Sequence, residues 1–151
     1  MPAATAPAAL PQAPLPLHQR LHQRLRQAGI APTLQRLAVA AVLLPQPVHL
    51  TAEQVLRAAR EQLPDIARAT VYAVLQLFVE RGLLKELPID GAATIYDSKV
   101  QPHHHLYNVD TGEISDLPAD ALQVLGLPVL QPGLEVAGID VVLRVRGRPS
   151  A

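Results

Sequence analysis

The densest concentration of chemistry-bearing side chains is Asp97, then five residues, then His103-His104-His105, with Asp116 eleven residues further on. On an extended strand His103 and His105 point to one face and His104 to the other. Two imidazoles on one face are preorganised for a divalent cation, and carboxylates neutralise its charge. Asp116 lies across from about His105 if the two segments pair as a hairpin around Asp110-Thr111-Gly112. A slip of one residue would turn it away. A His/carboxylate set without thiolate suits Zn²⁺, Mn²⁺ or Fe²⁺ and does not select among them. A bare His-x-His is as readily a solvated cluster with adventitious affinity, and the two aspartates are what make this one a candidate site. His18 and His22, four residues apart on a helix, form a second pair whose simpler role is a polar helix face.

A second group of residues suits DNA. From about Ile66 to Arg81, Val71, Val74, Leu75 and Phe78 recur at helical spacing and form one buried stripe. Arg68, Ala69, Tyr72, Ala73 and Gln76 fall off that stripe. Tyr72 offers apolar contact to a thymine methyl and a hydroxyl to phosphate. Thr70, near the helix N-terminus, can meet a phosphate with help from the helix dipole. Arg24, Arg26 and Arg36 would supply backbone contacts. The alternative is an ordinary solvated helix face.

The elements that must position these residues follow from composition and periodicity. The 151 residues are 49% hydrophobic and 3% aromatic, so any core is aliphatic. The absence of cysteine excludes disulfides, thiolate zinc sites and cysteine nucleophiles. No apolar run is long enough for a bilayer, and the proline-interrupted start does not read as a signal peptide, so a cytoplasmic protein without a membrane partner is expected. Formal net charge is zero but unevenly spread: residues 1–87 carry nine basic and five acidic side chains, residues 88–151 four and eight. Such asymmetry suits one module for an anionic partner and another for cations.

Residues 1–16 read as a disordered Ala/Pro-rich leader. Leu17, Leu21 and Leu25 start a helix that Gly29 closes. A second helix is expected from Pro32 to Leu44, with Leu34, Leu37, Ala38, Ala41 and Val42 as its apolar stripe. Thr51 to Gln54 fits a capping box opening a third helix, which Pro64 ends. The fourth helix ends at Gly82, and Leu83–Leu87 and Ala93–Tyr96 form a hairpin across Ile89-Asp90-Gly91. These elements make a winged helix-turn-helix over 17–96, with the fourth helix offered to the major groove. Residues 97–147 form a small second domain: the His103–Val109 and Glu113–Leu117 hairpin, a short helix over Ala119–Leu125 and a half-buried strand over Val136–Arg146. Residues 148–151 are a tail. The fold class is α+β. The second domain is too small to be comfortable alone, and pairing with a second copy is the remedy.

Several motifs in register carry a family resemblance: Ala28-Gly29-Ile30-Ala31-Pro32-Thr33-Leu34-Gln35-Arg36, His49-Leu50-Thr51-Ala52-Glu53, Ala69-Thr70-Val71-Tyr72 and His103-His104-His105. Their order and spacing, over roughly Leu21 to Arg146, resemble the ferric uptake regulator family. The ending Ile139 to Arg146 and the missing cysteines look like the iron response regulator branch of alphaproteobacteria, which is related to the peroxide-sensing members. The resemblance implies a metal site of His49, Asp97, His103, His105 and Asp116. It matches Tyr72 and Ala69 to base-contacting positions and Arg36 to one near the DNA backbone. It also implies a winged helix followed by an α/β dimerisation domain, and a homodimer on palindromic double-stranded operator DNA that represses iron or haem homeostasis genes. No structural Cys₄ zinc is expected, since Asn108 and Thr111 stand at the first cysteine pair and the second is absent. Pro102 replaces a histidine of a further site, Ala73 a common arginine, and Leu34 a common basic residue.

The implied ligands span the DNA-binding domain, the hinge and the dimerisation domain, so one ion would fix the angle between two winged helices. In an alternative, haem at His103, His104 and His105 releases DNA. A hydrolytic metal centre lacks a base or nucleophile beside the cluster, and a plain architectural DNA-binding module would hold no metal.

Overall fold

The computed structural model describes residues 14–89, 91 and 93–147. The expected leader falls largely outside the described residues, as do Asp90 of the proposed wing turn and the 148–151 tail. Helix α1 (Leu17–Gln27) buries Leu21 and Leu25 and closes on Gly29, whose φ of 71° is the left-handed conformation a helix C-terminus favours in glycine. Helix α2 (Leu34–Leu43) begins later than expected. The Thr33 side chain accepts from the Arg36 N–H and caps it, which leaves Pro32 outside the helix. Its buried stripe matches the expected one in part: Ala38 is buried and Leu37, Ala41 and Val42 are half-buried against the core, but Val39, Ala40 and Leu43 are buried too and Leu34 is 74% exposed. At about 100° per residue, Val39 lies roughly 140° round the helix from Leu34, so the two cannot share a face.

A short strand β1 (His49–Thr51), absent from the expected elements, leads directly into helix α3 (Ala52–Gln62). Thr51 ends the strand and caps the helix, and both halves of the capping box with Gln54 are made. Helix α4 (Arg68–Glu80) buries Val71, Val74, Leu75 and Phe78, the stripe its spacing predicts. Strands β2 (Lys85–Leu87) and β3 (Ile95–Asp97) pair antiparallel as the wing, and β1 joins the other edge of β3. The four helices pack over a largely aliphatic core that includes the fully buried Leu25, Val39, Leu43, Val55 and Leu75, with one aromatic ring, Phe78, fully buried among them.

The second sheet has strand order β5-β4-β6, from β4 (His104–Asn108), β5 (Ile114–Leu117) and β6 (Val142–Val145), with β6 parallel to β4. The architecture is α+β, a winged helix-turn-helix followed by this smaller sheet domain. Two expectations fail in it. No helix forms over 119–125, and the strand expected from Val136 is confined to 142–145. Pro118, Gly126 and Pro128 bracket a segment too short to be helical unaided. The single chain offers it nothing to pack on: Leu125 is 83% exposed and Val129 fully so.

Candidate metal centre and DNA-facing helix

Strand register, in both sheets, sets a histidine opposite an aspartate. His49 of β1 pairs with Asp97 of β3, and His105 of β4 pairs with Asp116 of β5. Ser98 secures the first pair by exchanging hydrogen bonds with Val48 and donating to the Gln46 carbonyl. His103, one residue before β4, completes a set whose five ligand atoms all lie within 4.8 Å of one another. His103 and His105 direct Nε2 at Oδ2 of Asp97 at 2.9 and 2.8 Å, and His49 approaches the same oxygen at 3.3 Å. Oδ1 of Asp116 lies 2.9 Å from His49 Nε2 and 3.2 Å from His103 Nε2.

Asp97, His103 and His105 are buried, and Asp116 and His49 are half-buried. Burial alone would raise the Asp97 pKa, but hydrogen bonds from His105, His49 and the Lys99 N–H outweigh it and hold the carboxyl well below the usual range. The bond to Asp97 likewise raises the His49 imidazole above its ordinary value, against the opposing effect of burial.

This arrangement suits a cation better than a closed hydrogen-bond network. His103 Nδ1 lies 2.7 Å from the Gln101 carbonyl, which can only accept, so Nδ1 carries a hydrogen and Nε2 is the nitrogen turned to the carboxylates. His49 Nε2 and Asp116 Oδ1 are both buried and lie 2.9 Å apart without the alignment of a good hydrogen bond. Two buried or half-buried carboxylates facing three imidazoles at such distances call for positive charge between them, which a proton or a metal ion can supply. Three imidazole nitrogens and two carboxylate oxygens fit Zn²⁺, Mn²⁺ or Fe²⁺.

Residues that spacing alone did not single out also shape the centre. Lys99 donates from its backbone to Asp97 and from its ammonium to Asp116. A lone basic residue between Asp97 and the histidines was the available signal. The β1 pairing that brings in His49 had a fainter one, a Val-His-Leu-Thr stretch directly after Pro47.

His104 is buried with Nδ1 unpartnered, on the other side of the strand from the cluster. His18 and His22 stand apart on α1, with their Nε2 atoms 3.1 Å from each other.

On α4, Arg68, Ala69, Tyr72, Ala73 and Gln76 form the exposed face, and Thr70 is half-buried. Thr33, Arg36, Ala69, Thr70 and Ala73 line one shallow groove between α2 and α4. Glu53 of α3 accepts from Arg68 and from the Tyr72 hydroxyl, and the Arg68 guanidinium lies 5.8 Å from the Tyr72 ring centre. Arg24 is turned inward instead, donating to the Leu44 carbonyl at 2.8 Å. Arg36 donates to the Ala31 carbonyl, and Gln76 to Glu80.

The ferric uptake regulator family model matches residues 27–143, most of the chain and both domains. The chain belongs to the ferric uptake regulator family. Among the relatives of this family member is the peroxide-responsive repressor PerR of Staphylococcus aureus, 35% identical over 92 residues. That match covers 61% of this chain and 62% of PerR, so the chain spans somewhat under two thirds of that relative's length. The ferric uptake regulator of Pseudomonas aeruginosa, solved with manganese, superposes with a TM-score of 0.62 at 28% identity, covering 85% of this chain and 98% of that one. The Vibrio cholerae ferric uptake regulator, at 24% identity and a TM-score of 0.64 over 83% of this chain and 98% of that one, shares the fold.

Proposed function

We propose that the chain is a metal-responsive transcription regulator, a repressor, that binds palindromic double-stranded operator DNA as a homodimer and has no enzymatic activity. The observation that carries this is the His/Asp cluster: His49 and Asp97 come from the winged-helix sheet, His103, His105 and Asp116 from the second domain, and their ligand atoms lie within 4.8 Å of one another. A divalent cation there, Fe²⁺, Mn²⁺ or Zn²⁺, would replace the protons that the imidazoles otherwise share with the carboxylates. His49 and Asp97 hold the winged helix to the site and His105 and Asp116 hold the second sheet, so the ligand set links the two domains. In a dimer that link governs whether two α4 helices reach successive major grooves, ~34–36 Å apart. Arg68, Ala69, Thr70, Tyr72 and Gln76 face DNA from α4, with Arg36, and Arg24 less directly, near the backbone. The homodimer rests on the exposed apolar residues of 119–143, and iron or haem homeostasis is the proposed target. Among the described residues no helix is long and apolar enough to cross a membrane, in keeping with a cytoplasmic role.

Operator titrations with and without Mn²⁺ or Fe²⁺ test this. Wild-type affinity should shift about 5–150-fold with metal, the usual range of coupling between sites. Asp97→Ala and His103→Ala should abolish the shift while leaving the dimer intact, and a shift that persists in both would overturn the reading.

A second reading draws on one observation. A cleft of about 790 Å³ with mostly apolar walls includes His105, whose Nδ1 has no hydrogen-bond partner. Haem ligated by His105 through that Nδ1, or by His104 on the other side of the strand, would leave the Asp97 contacts in place, whereas ligation by His103 through Nε2 would break one of them. A Soret band lost on replacing the three histidines by alanine would favour haem.

A further inference from the structure

Lys99 engages both carboxylates of the cluster, on the side away from the imidazoles. Its backbone N–H donates to Oδ1 of Asp97 at 2.8 Å, and its ammonium donates to Oδ2 of Asp116 at 3.1 Å. Each aspartate is left with one oxygen toward the histidines, Oδ2 of Asp97 and Oδ1 of Asp116. We propose that Lys99 is a positioning residue that makes both aspartates single-oxygen donors and thereby biases the site against oxygen-seeking divalent cations. The proposal rests on the metal-binding reading of the cluster.

The physical reason lies in what a freed carboxylate can do. An aspartate able to turn offers two oxygens to one ion. Mn²⁺, with its preference for oxygen-rich and higher-coordinate sites, gains from the extra oxygen, whereas Zn²⁺ is satisfied by few ligands and by nitrogen. Lys99 withholds that oxygen and sets a positive charge beside two negative ones. Its two contacts are separable by mutation. The backbone bond to Asp97 survives any replacement but proline, so substitution releases Asp116 alone. The Lys99 side chain is 36% exposed, and its removal opens no core.

Competitive chelator titrations of Zn²⁺ and Mn²⁺ on the full-length wild type, Lys99→Met and Lys99→Arg test the idea, with visible absorption of the Co²⁺ forms as a signature of ligand number. Lys99→Met should move the Mn²⁺/Zn²⁺ affinity ratio toward Mn²⁺ by about tenfold, the lower end for residues that orient metal ligands. Its Co²⁺ bands should weaken as a further oxygen joins. Lys99→Arg, which keeps a cation beside Asp116, should retain the wild-type ratio. Lys99→Gln serves in place of Lys99→Met if the latter does not fold. Equal tightening of both metals, or an unchanged ratio, would make Lys99 merely a nearby charge and overturn this proposal while the metal-binding reading stands. A wild type that takes up neither ion overturns both.

Discussion

The two halves of the molecule bury opposite kinds of residue. Up to Tyr96 the buried side chains are aliphatic or aromatic, and they form one core between four helices and the wing. From Asp97 onward, among the described residues, the buried set is Asp97, Ser98, His103, His104 and His105, all polar. The first half is held by removal of apolar surface from water, which needs no partner. The second sheet leaves its apolar residues half-buried or exposed and keeps its histidine ligands buried. Its stability and orientation are therefore left to whatever fills the ligand cluster and whatever covers the apolar face. A domain built this way is suited to respond to a ligand, because the ligand contributes what a core contributes elsewhere.

The largest expected effect tests the independence of the first half. Phe78→Ala removes a fully buried ring and should cost about 3–5 kcal/mol in chemical denaturation. The same loss should appear with and without Zn²⁺, since distant sites without shared partners act additively. A loss that depends on metal would mean that the two halves share one energetic unit, and the contrast drawn above would break.

The second effect sharpens the contrast from the other side. Leu125→Asp or Val129→Asp places a charge on a side chain that touches little in the single chain. Helix content should be unchanged, while sedimentation should show a dimer dissociation constant raised at least about tenfold, roughly 1.4 kcal/mol. A dimer of wild-type strength would place its interface elsewhere.

The smallest effect is on pH. His49 has a folded-state pKa raised above 6.5, chiefly by Asp97, so the stability it contributes is fully present below 6.5 and is lost as pH rises through the raised value. Asp97, held low, stays ionised throughout that window; its own contribution is lost only in acid, as pH falls below 3.8 toward the lowered value. Metal-free protein should therefore melt at lower temperature as pH rises from about 6 to about 9, the range around an ordinary histidine pKa. Metal affinity should strengthen over the same range, because the ion and the proton compete for the same nitrogen. A flat melting profile for metal-free His49→Gln would assign the effect to His49.

Much of the first half was legible in the sequence. The α4 stripe, the Thr51 capping box and the Gly29 and Gly82 stops are local signals, and each depends on residues within one or two turns. The α2 face was legible only in part, with Leu34 outside it and Val39, Ala40 and Leu43 added, because an Ala/Leu/Val-rich helix has apolar residues on every side and its neighbours decide which are most buried. The second half was legible as strands around Asp110-Thr111-Gly112 and in the pairing of His105 with Asp116. The segment between β5 and β6 was not, since its apolar pattern answers to a surface outside the single chain.

Residue types and their spacing alone determined the winged helix-turn-helix, the exposed face of α4 and the candidacy of Asp97, His103, His105 and Asp116. They determined these because helix period, strand alternation and capping chemistry act over short separations. Tertiary structure alone decided that His49 stands opposite Asp97, that one aspartate oxygen meets three imidazoles, and that Lys99 occupies the oxygens left over. Each of these depends on which strand lies beside which, and β1 and β3 are joined by more than forty residues of chain. No local signal carries that register; it is set when the aliphatic core packs and brings the two strands edge to edge.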